Sequence, residues 1–261
     1  MFRGLYKSLR PSVSSATRHF KPSVFNTTTT IPPHPIATKL LLLLPSTQTK
    51  HLASIAMADT KTFLQAVKDR HTYYDLKAES PIPDSRIEEI VKTAITSLPS
   101  SFNSQSARLV LLYGDHHKKL WDITKDTLFS FLPEEQKEAS GARLTGFRNA
   151  YATILFFEDP QPITELQTAF PTYAEKFPQW SEHTSAIHQF TLWTALEAEG
   201  FGANLQHYNP LIDDKVKEEW GVDKSYKLVA QLVFGTPNSG PQTRPQIVTF
   251  KPIEETFRIF K

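Results

Sequence analysis

The spacing of apolar residues predicts helices in several parts of the chain. Apolar positions recur at helical intervals in five segments: 59–69, 85–98, 116–131, 182–199 and 213–220. Ser85 and Glu88 have the spacing of a capping box at the start of the second segment. In 182–199 the apolar residues cover most of the helix circumference, so we expect this helix to be buried on nearly all sides and to end at Gly200.

Shorter apolar segments predict strands. They are residues 108–113, 151–157 and 228–235. Segment 151–157 is apolar on both faces, which predicts a central strand covered on both sides. Residues 158–180 contain four prolines among aromatic residues, and we predict that they are irregular. No repeat or linker interrupts residues 57–261, so the pattern predicts one domain, an α+β or α/β sandwich.

Charge divides the chain near residue 57. Residues 1–56 contain seven Lys or Arg and no Asp or Glu, and they are rich in Ser, Thr and Pro. This composition predicts a cleavable mitochondrial targeting leader. The alternative is an upstream extension that is not translated or is disordered. Translation from Met57 would then leave the protein in the cytoplasm or nucleus.

Composition excludes several classes of function. The remaining 22 of the 29 basic residues face 27 acidic residues in 57–261, so this part is mildly acidic and nucleic-acid binding is not expected. The apolar run 40–44 is too short to span a membrane, which takes about 20 residues. The absence of cysteine excludes disulfides, iron–sulfur clusters and a catalytic thiol. No metal site is predicted, and redox chemistry would need a bound cofactor.

Two polar segments in the first half of this region could bind a ligand. Arg70, His71 and Thr72 form a compact set of donors for an anion, although Arg and His are also common at a helix C-terminus. The loop 99–105 offers hydroxyl and amide groups to a planar heterocycle, or is an ordinary turn. The chain has no glycine-rich phosphate loop, so side chains would have to hold a phosphate.

Two further segments lie towards the C-terminus. Gly200 and Gly202 would let the backbone pass close to a flat group, or they cap a helix. Arg244 lies in an extended, proline-rich segment, where a lone surface arginine is also ordinary.

In this order the four segments resemble the nitroreductase family over essentially all of residues 57–261. Residues 70–72 match the family motif that holds the FMN phosphate, and Tyr74 stands where a second basic residue is usual. Residues 99–105 match a Pro-Ser-x-x-Asn-Ser-Gln motif, with Ser106 and Ala107 replacing the Pro-Trp that usually follows. Residues 203–210 resemble small fungal nitroreductases linked to lipid and oxidative stress.

The resemblance implies an α+β nitroreductase-like sandwich, with a central mixed sheet covered by helices, in an intertwined homodimer. It implies bound FMN, NADH or NADPH as the electron donor, and a nitroaromatic or quinone oxidant reduced by a ping-pong mechanism. The implied FMN-binding residues are Arg70, His71, Thr72, Ser100, Ser101, Asn103, Gln105, Gln206, His207 and Arg244.

The family also implies how these residues are shared between subunits. The loop 99–105 would reach the flavin of the opposite subunit, and His207 is a candidate proton donor. The expected role is an oxidoreductase in a stress response. The alternatives are a flavin-binding regulator with incidental turnover, or an interaction module that binds no flavin.

Overall fold

The computed structural model describes residues 61–241 and 251–261, so the predicted leader and Arg244 lie outside the described residues. The helices are α1 (Phe63–Asp69), α2 (Asp84–Ser97), α3 (Gly114–Phe129), α4 (Glu134–Arg148), α5 (Pro160–Ala169), α6 (Phe177–Ala198), α7 (Asp213–Glu219) and α8 (Ile253–Thr256). The strands are β1 (Leu76–Lys77), β2 (Ala107–Tyr113), β3 (Ala152–Glu158), β4 (Gly202–Gln206) and β5 (Lys227–Pro237). The three predicted strands and the five predicted helices are therefore confirmed, with boundaries shifted by a few residues.

The strands form one sheet with β5 at its centre. β5 pairs with β3, β4 and β1, and β3 also pairs with β2. Every pairing in the described residues is antiparallel, so the expected mixed sheet is wrong for this part of the chain. Between β2 and β3 the chain passes through two helices, α3 and α4, that pack on each other. This connection brings the chain back to the end of the sheet where β2 finished, so β3 runs antiparallel to β2.

Helices cover both faces of the sheet, which confirms the predicted sandwich. Every residue of β3 is buried, as its two-sided apolar pattern predicts. Trp121 of α3 and Phe147 of α4 pack on one face. Ile87 of α2 and Leu192 of α6 pack on the other. In the described residues, no helix is both long and apolar enough to cross a membrane.

The prediction of an irregular segment over 158–180 is wrong. Asp159 caps α5 by accepting a hydrogen bond from the Gln161 backbone N–H at 2.9 Å, and Pro160 is the first helical residue. Pro171 begins a short 3-10 helix, and Pro178 lies in the first turn of α6. Proline is tolerated in a first helical turn because its missing N–H would have no partner there, so these prolines start helices.

Other expectations also need correction. The capping box at Ser85 is wrong, because α2 begins at Asp84 after Pro83 and no side chain caps it. α6 is less covered than predicted, since Ile187 and Phe190 are each 39% exposed in one chain. Gly200 does end α6, with the left-handed φ of +97° expected of a glycine there.

Candidate functional site

The segment that follows α1 is fixed along the edge strand β4. Arg70 is the C-cap of α1 and has an extended backbone, so the chain leaves the helix there. The Tyr73 backbone N–H donates to the Ala203 carbonyl at 2.9 Å, and the Asn204 side chain donates to the Tyr73 carbonyl at 2.7 Å. These bonds hold residues 70–74 beside the start of β4.

Arg70 and His71 are tied to the C-terminal part of α6. The Arg70 guanidinium lies 4.4 Å from the ring centroid of Trp193. The His71 backbone N–H donates to Glu197 at 2.9 Å, and the Trp193 indole N–H donates to the other Glu197 oxygen at 2.6 Å. Burial raises the pKa of Glu197 to about 7, against the opposing effect of these two hydrogen bonds. Thr72 is half-buried in the same segment.

Glycine is required at the start of β4. A Cβ on Gly202 would lie 2.8 Å from the Tyr73 side chain and 3.0 Å from Leu76. The flat group that passes close to this glycine is therefore Tyr73 of the same chain. Gly200 is less constrained by packing, because its added Cβ would meet Pro81 at an ordinary 3.7 Å.

A cavity of about 580 Å³ opens beside this segment. Its lining includes Tyr74 after α1, Arg143 and Phe147 on α4, and Gln206 at the end of β4. The Gln206 amide donates to Asn204 at 2.8 Å, which fixes its side chain. Gln206 is the predicted site residue that the structure places in this cavity, whereas His207, the next residue, is exposed.

Arg143 is a cavity residue that the sequence reasoning missed, because α4 itself was not predicted. The signals were present but weak. Leu144 and Phe147 give a narrow apolar face, two glutamates lie in the first turn, and Arg148 lies in the last turn. Burial raises the pKa of Tyr208 and the positive charge of Arg143 lowers it in part, so these two side chains lie near each other.

The loop 100–105 is held in an unusual backbone conformation. Phe102, Asn103 and Gln105 have φ values of 54°, 54° and 49°, in the left-handed region that non-glycine residues seldom adopt. Ser100 Oγ accepts the Gln105 backbone N–H at 3.0 Å, and the Ser101 carbonyl accepts the Ser104 N–H at 3.1 Å. Such conformations persist only where the surroundings fix them, and they are frequent at ligand sites.

The loop 100–105 packs against an aromatic cluster, and the residue that follows it is bonded to a buried carboxyl group. Phe102 stacks on Trp180 with ring centroids 5.8 Å apart, and it also contacts Phe177. Ser106, which follows the loop, donates to buried Glu158 at 2.6 Å. The replacement of the family's proline by Ser106 therefore supplies an anchor between β2 and β3.

One chain does not bring the predicted site residues together. The loop packs against Trp180 near the start of α6, whereas Arg70 packs against Trp193 near its end. These two positions are thirteen residues apart on a helix that rises 1.5 Å per residue, which gives a separation of about 20 Å. The segment 70–74 and the cavity at Gln206 lie at one end of the sheet, and the loop lies at the other.

Comparison with known proteins identifies the family. A model of the nitroreductase family matches residues 67–236. The chain is 39% identical to the Saccharomyces cerevisiae protein HBN1, named as a nitroreductase, over 197 residues that cover 73% of this chain and 96% of HBN1. It is also similar to nitroreductase CinD from Lactococcus lactis, solved with chloramphenicol, with 39% identity and a TM-score of 0.69 over 77% of this chain and all of CinD.

A more distant structure shares the fold. It is a nitroreductase from Desulfovibrio desulfuricans in complex with FMN, 18% identical, with a TM-score of 0.54 over 77% of this chain and 99% of that one. The family match and the similarity to HBN1 confirm the resemblance inferred from the sequence, including its fungal character. This chain belongs to the nitroreductase family.

Proposed function

We propose that the protein is an FMN-dependent NAD(P)H oxidoreductase that reduces nitroaromatics or quinones by a ping-pong mechanism. The observation that carries this proposal is the cavity of about 580 Å³ beside residues 70–74. Its volume lies in the range of about 300–1,000 Å³ that small-molecule sites have. Aromatic and polar side chains line it together, as a flat heterocycle requires.

The residues at this end of the sheet fit FMN. The guanidinium of Arg70, the imidazole of His71 and the hydroxyl of Thr72 are suitable donors for a phosphate. Arg143 and Gln206 offer donors to the carbonyl and ring nitrogen atoms of an isoalloxazine. Arg143 and Tyr74 line the same cavity, so Arg143 gives the part of the site proposed for the ring a positive charge.

When bound, FMN would accept a hydride from NADH or NADPH and pass electrons to the oxidant. The residues that line the cavity would bind and orient the flavin. His207 is exposed at the end of β4, where it could donate a proton to a bound oxidant. CinD has been solved with 4-nitrophenol, which supports a nitroaromatic oxidant for this chain.

A homodimer with shared flavin sites accounts for the separation of the two halves. The phosphate-binding segment and the loop 100–105 lie about 20 Å apart along α6, at 1.5 Å per residue. α6 exposes Ile187 and Phe190, and the C-terminal segment exposes Phe257, Ile259 and Phe260. Apolar surface of this kind favours contact with a second copy. The loop of one subunit would then meet the cavity of its partner.

The absorbance spectrum of the purified protein tests the cofactor, and oxidation of NADH or NADPH with a nitroaromatic or quinone tests the reaction. We expect flavin bands and turnover. A yellow protein with negligible turnover would favour a flavin-binding regulator. A colourless protein that does not take up added FMN would favour an interaction module and overturn the proposal.

Arg70→Ala tests the phosphate site directly. A charge-assisted hydrogen bond contributes about 1.5–3 kcal/mol, and 1.4 kcal/mol corresponds to about tenfold in affinity. We therefore expect FMN to bind about tenfold to a hundredfold more weakly. Riboflavin has no phosphate, so its affinity should change far less. Equal losses for the two flavins would show that Arg70 does not contact the phosphate.

The leader 1–56 is proposed to direct the protein to mitochondria. Its acid-free composition, rich in Ser, Thr and Pro, supports this. Fractionation of cells that express the full chain, or a chain starting at Met57, tests it. Equal distribution of the two chains would overturn the targeting role. A role in oxidative or lipid stress is proposed from the fungal resemblance, and growth of a deletion strain under these stresses tests it.

A further inference from the structure

The phosphate-binding segment is joined to α6 by a closed set of contacts. Arg70 stacks on the Trp193 ring at 4.4 Å. Trp193 donates its indole N–H to one oxygen of Glu197 at 2.6 Å, and the other oxygen accepts the His71 backbone N–H at 2.9 Å. Because Arg70 and His71 are adjacent in the chain, these four residues close a ring of contacts.

Each contact in this ring fixes a different degree of freedom. The bond to the His71 N–H fixes the backbone where the chain leaves α1. The bond from Trp193 to Glu197 fixes the orientation of the indole, and the indole face in turn limits the positions open to the Arg70 guanidinium. A flexible arginine loses conformational entropy when it is ordered on a ligand, so holding it before binding favours affinity.

We propose that Glu197 and Trp193 are positioning residues for the flavin phosphate, which they act on through Arg70 and His71. The inference rests on the proposed function, because it assumes that residues 70–72 hold a phosphate. It assigns a role to two α6 residues that belong to none of the four sequence motifs. Burial raises the pKa of Glu197 to about 7, so at pH 8 it is mainly a carboxylate, and a carboxylate beside an anion site would otherwise weaken anion binding by repulsion.

Positioning by Glu197 would strengthen FMN binding and charge repulsion by Glu197 would weaken it, so substitution of Glu197 distinguishes the two roles. The flavin-free protein is titrated with FMN and with riboflavin, and the affinity of each is measured by quenching of flavin fluorescence. If Glu197 positions the segment, Glu197→Ala should weaken FMN about tenfold and riboflavin less than about threefold. Glu197→Gln keeps one acceptor oxygen and should show a smaller FMN loss. If Glu197 acts only as a charge, both variants should bind FMN more tightly, which would overturn the proposal.

A double-mutant cycle separates positioning from general destabilisation. In an Arg70→Ala background the positioned guanidinium is gone, so Glu197→Ala should cost markedly less FMN affinity than in the wild type. Full additivity would mean that Glu197 does not act through Arg70. The control is Glu199→Ala, two residues further along the chain, which removes an ion pair with Arg86 and should leave both flavin affinities unchanged.

Trp193→Phe gives a second measurement that decides the question if Glu197→Ala does not fold. This variant keeps an aromatic face for Arg70 but removes the N–H that orients it, so we expect a selective FMN loss of about threefold. An unchanged ratio of FMN to riboflavin affinity would overturn the proposal. Failure of the wild type to bind either flavin would instead overturn the proposed function, so the two failures are distinguishable.

Discussion

Gly235 shows how strongly one residue can be constrained in the centre of this fold. An added Cβ would overlap the Lys77 carbonyl oxygen and lie 3.0 Å from the Tyr151 backbone nitrogen. Both neighbours are backbone, so neither can move aside as a flexible side chain could. The neighbouring backbone can approach Gly235 this closely only because glycine has no side chain.

We expect Gly235→Ala to destabilise the protein by at least about 1–3 kcal/mol, the usual cost of overpacking. Gly146→Ala is the matched control. Gly146 is in helix α4, and its added Cβ would meet the nearest atom at an ordinary 4.0 Å. Alanine should stabilise this helix by about 0.5–1 kcal/mol. Urea unfolding of the flavin-free variants measures both changes, and similar stabilities for the two would contradict the packing argument.

Glu158 gives a residue-level prediction about pH. It is 5% exposed, one of its oxygens accepts the Ser106 hydroxyl, and no hydrogen bond to the other oxygen is found in the described residues. Burial raises its pKa from 4.5 to about 7, and the nearby guanidinium of Arg108 lowers it in part. The folded state therefore holds this proton more tightly than the unfolded state does.

The stability that Glu158 contributes is fully present below about pH 4.5 and is lost as the pH rises through about 7. Glu158→Gln cannot titrate, so its free energy of unfolding should fall less between pH 4.5 and 7 than that of the wild type. Urea unfolding at pH 5 and pH 8 measures this difference. Some slope should remain, because burial also raises the pKa of Glu197 to about 7. An identical slope in the variant would contradict the expectation.

At the scale of elements, the helices and strands with a strong periodic pattern of apolar residues were predictable from sequence. Those with a weak pattern were not. α2, α3, β2 and β3 have apolar faces that their own sequences define, and the structure confirms them. α4 has two fully buried apolar residues, Leu144 and Phe147, so its helical pattern is faint. β4 is five residues long and is defined by its pairing with β5, which local sequence does not reveal.

The missed helix α4 carries Arg143, which yields a prediction of its own. Arg143 lines the cavity proposed for the isoalloxazine ring, whereas residues 70–72, proposed for the phosphate, are not part of that lining. Arg143→Ala should therefore weaken FMN and riboflavin to a similar extent, about tenfold for one lost charge-assisted hydrogen bond. Arg148→Ala in the same helix removes an ion pair with Asp122 and should leave flavin binding unchanged. A loss confined to FMN would place Arg143 at the phosphate.

At the scale of the whole molecule, the sequence motifs predict a set of site residues but not how far apart these residues lie in one chain. Arg70 and Asn103 belong to motifs of one family, yet they lie towards opposite ends of α6. Their distance depends on the length of that helix and on the strands it packs against, which are nonlocal features. The shared site proposed above would therefore combine two half-sites from different chains, which requires a second copy related by two-fold symmetry.

Mixing of variant subunits tests this arrangement. If the loop acts in trans, a heterodimer of Arg70→Ala and Asn103→Ala subunits has one site with both defects and one intact site. Verified heterodimers should then recover about half of the wild-type activity per subunit. If the loop acts in cis, every site keeps one defect and mixing restores nothing. The control pairs Arg70→Ala with Arg143→Ala, which lie in the same half-site, so every site in that heterodimer keeps one defect under either arrangement. NAD(P)H oxidation by verified heterodimers gives the readout, and recovery in the control as well would show that mixing merely stabilises the subunits.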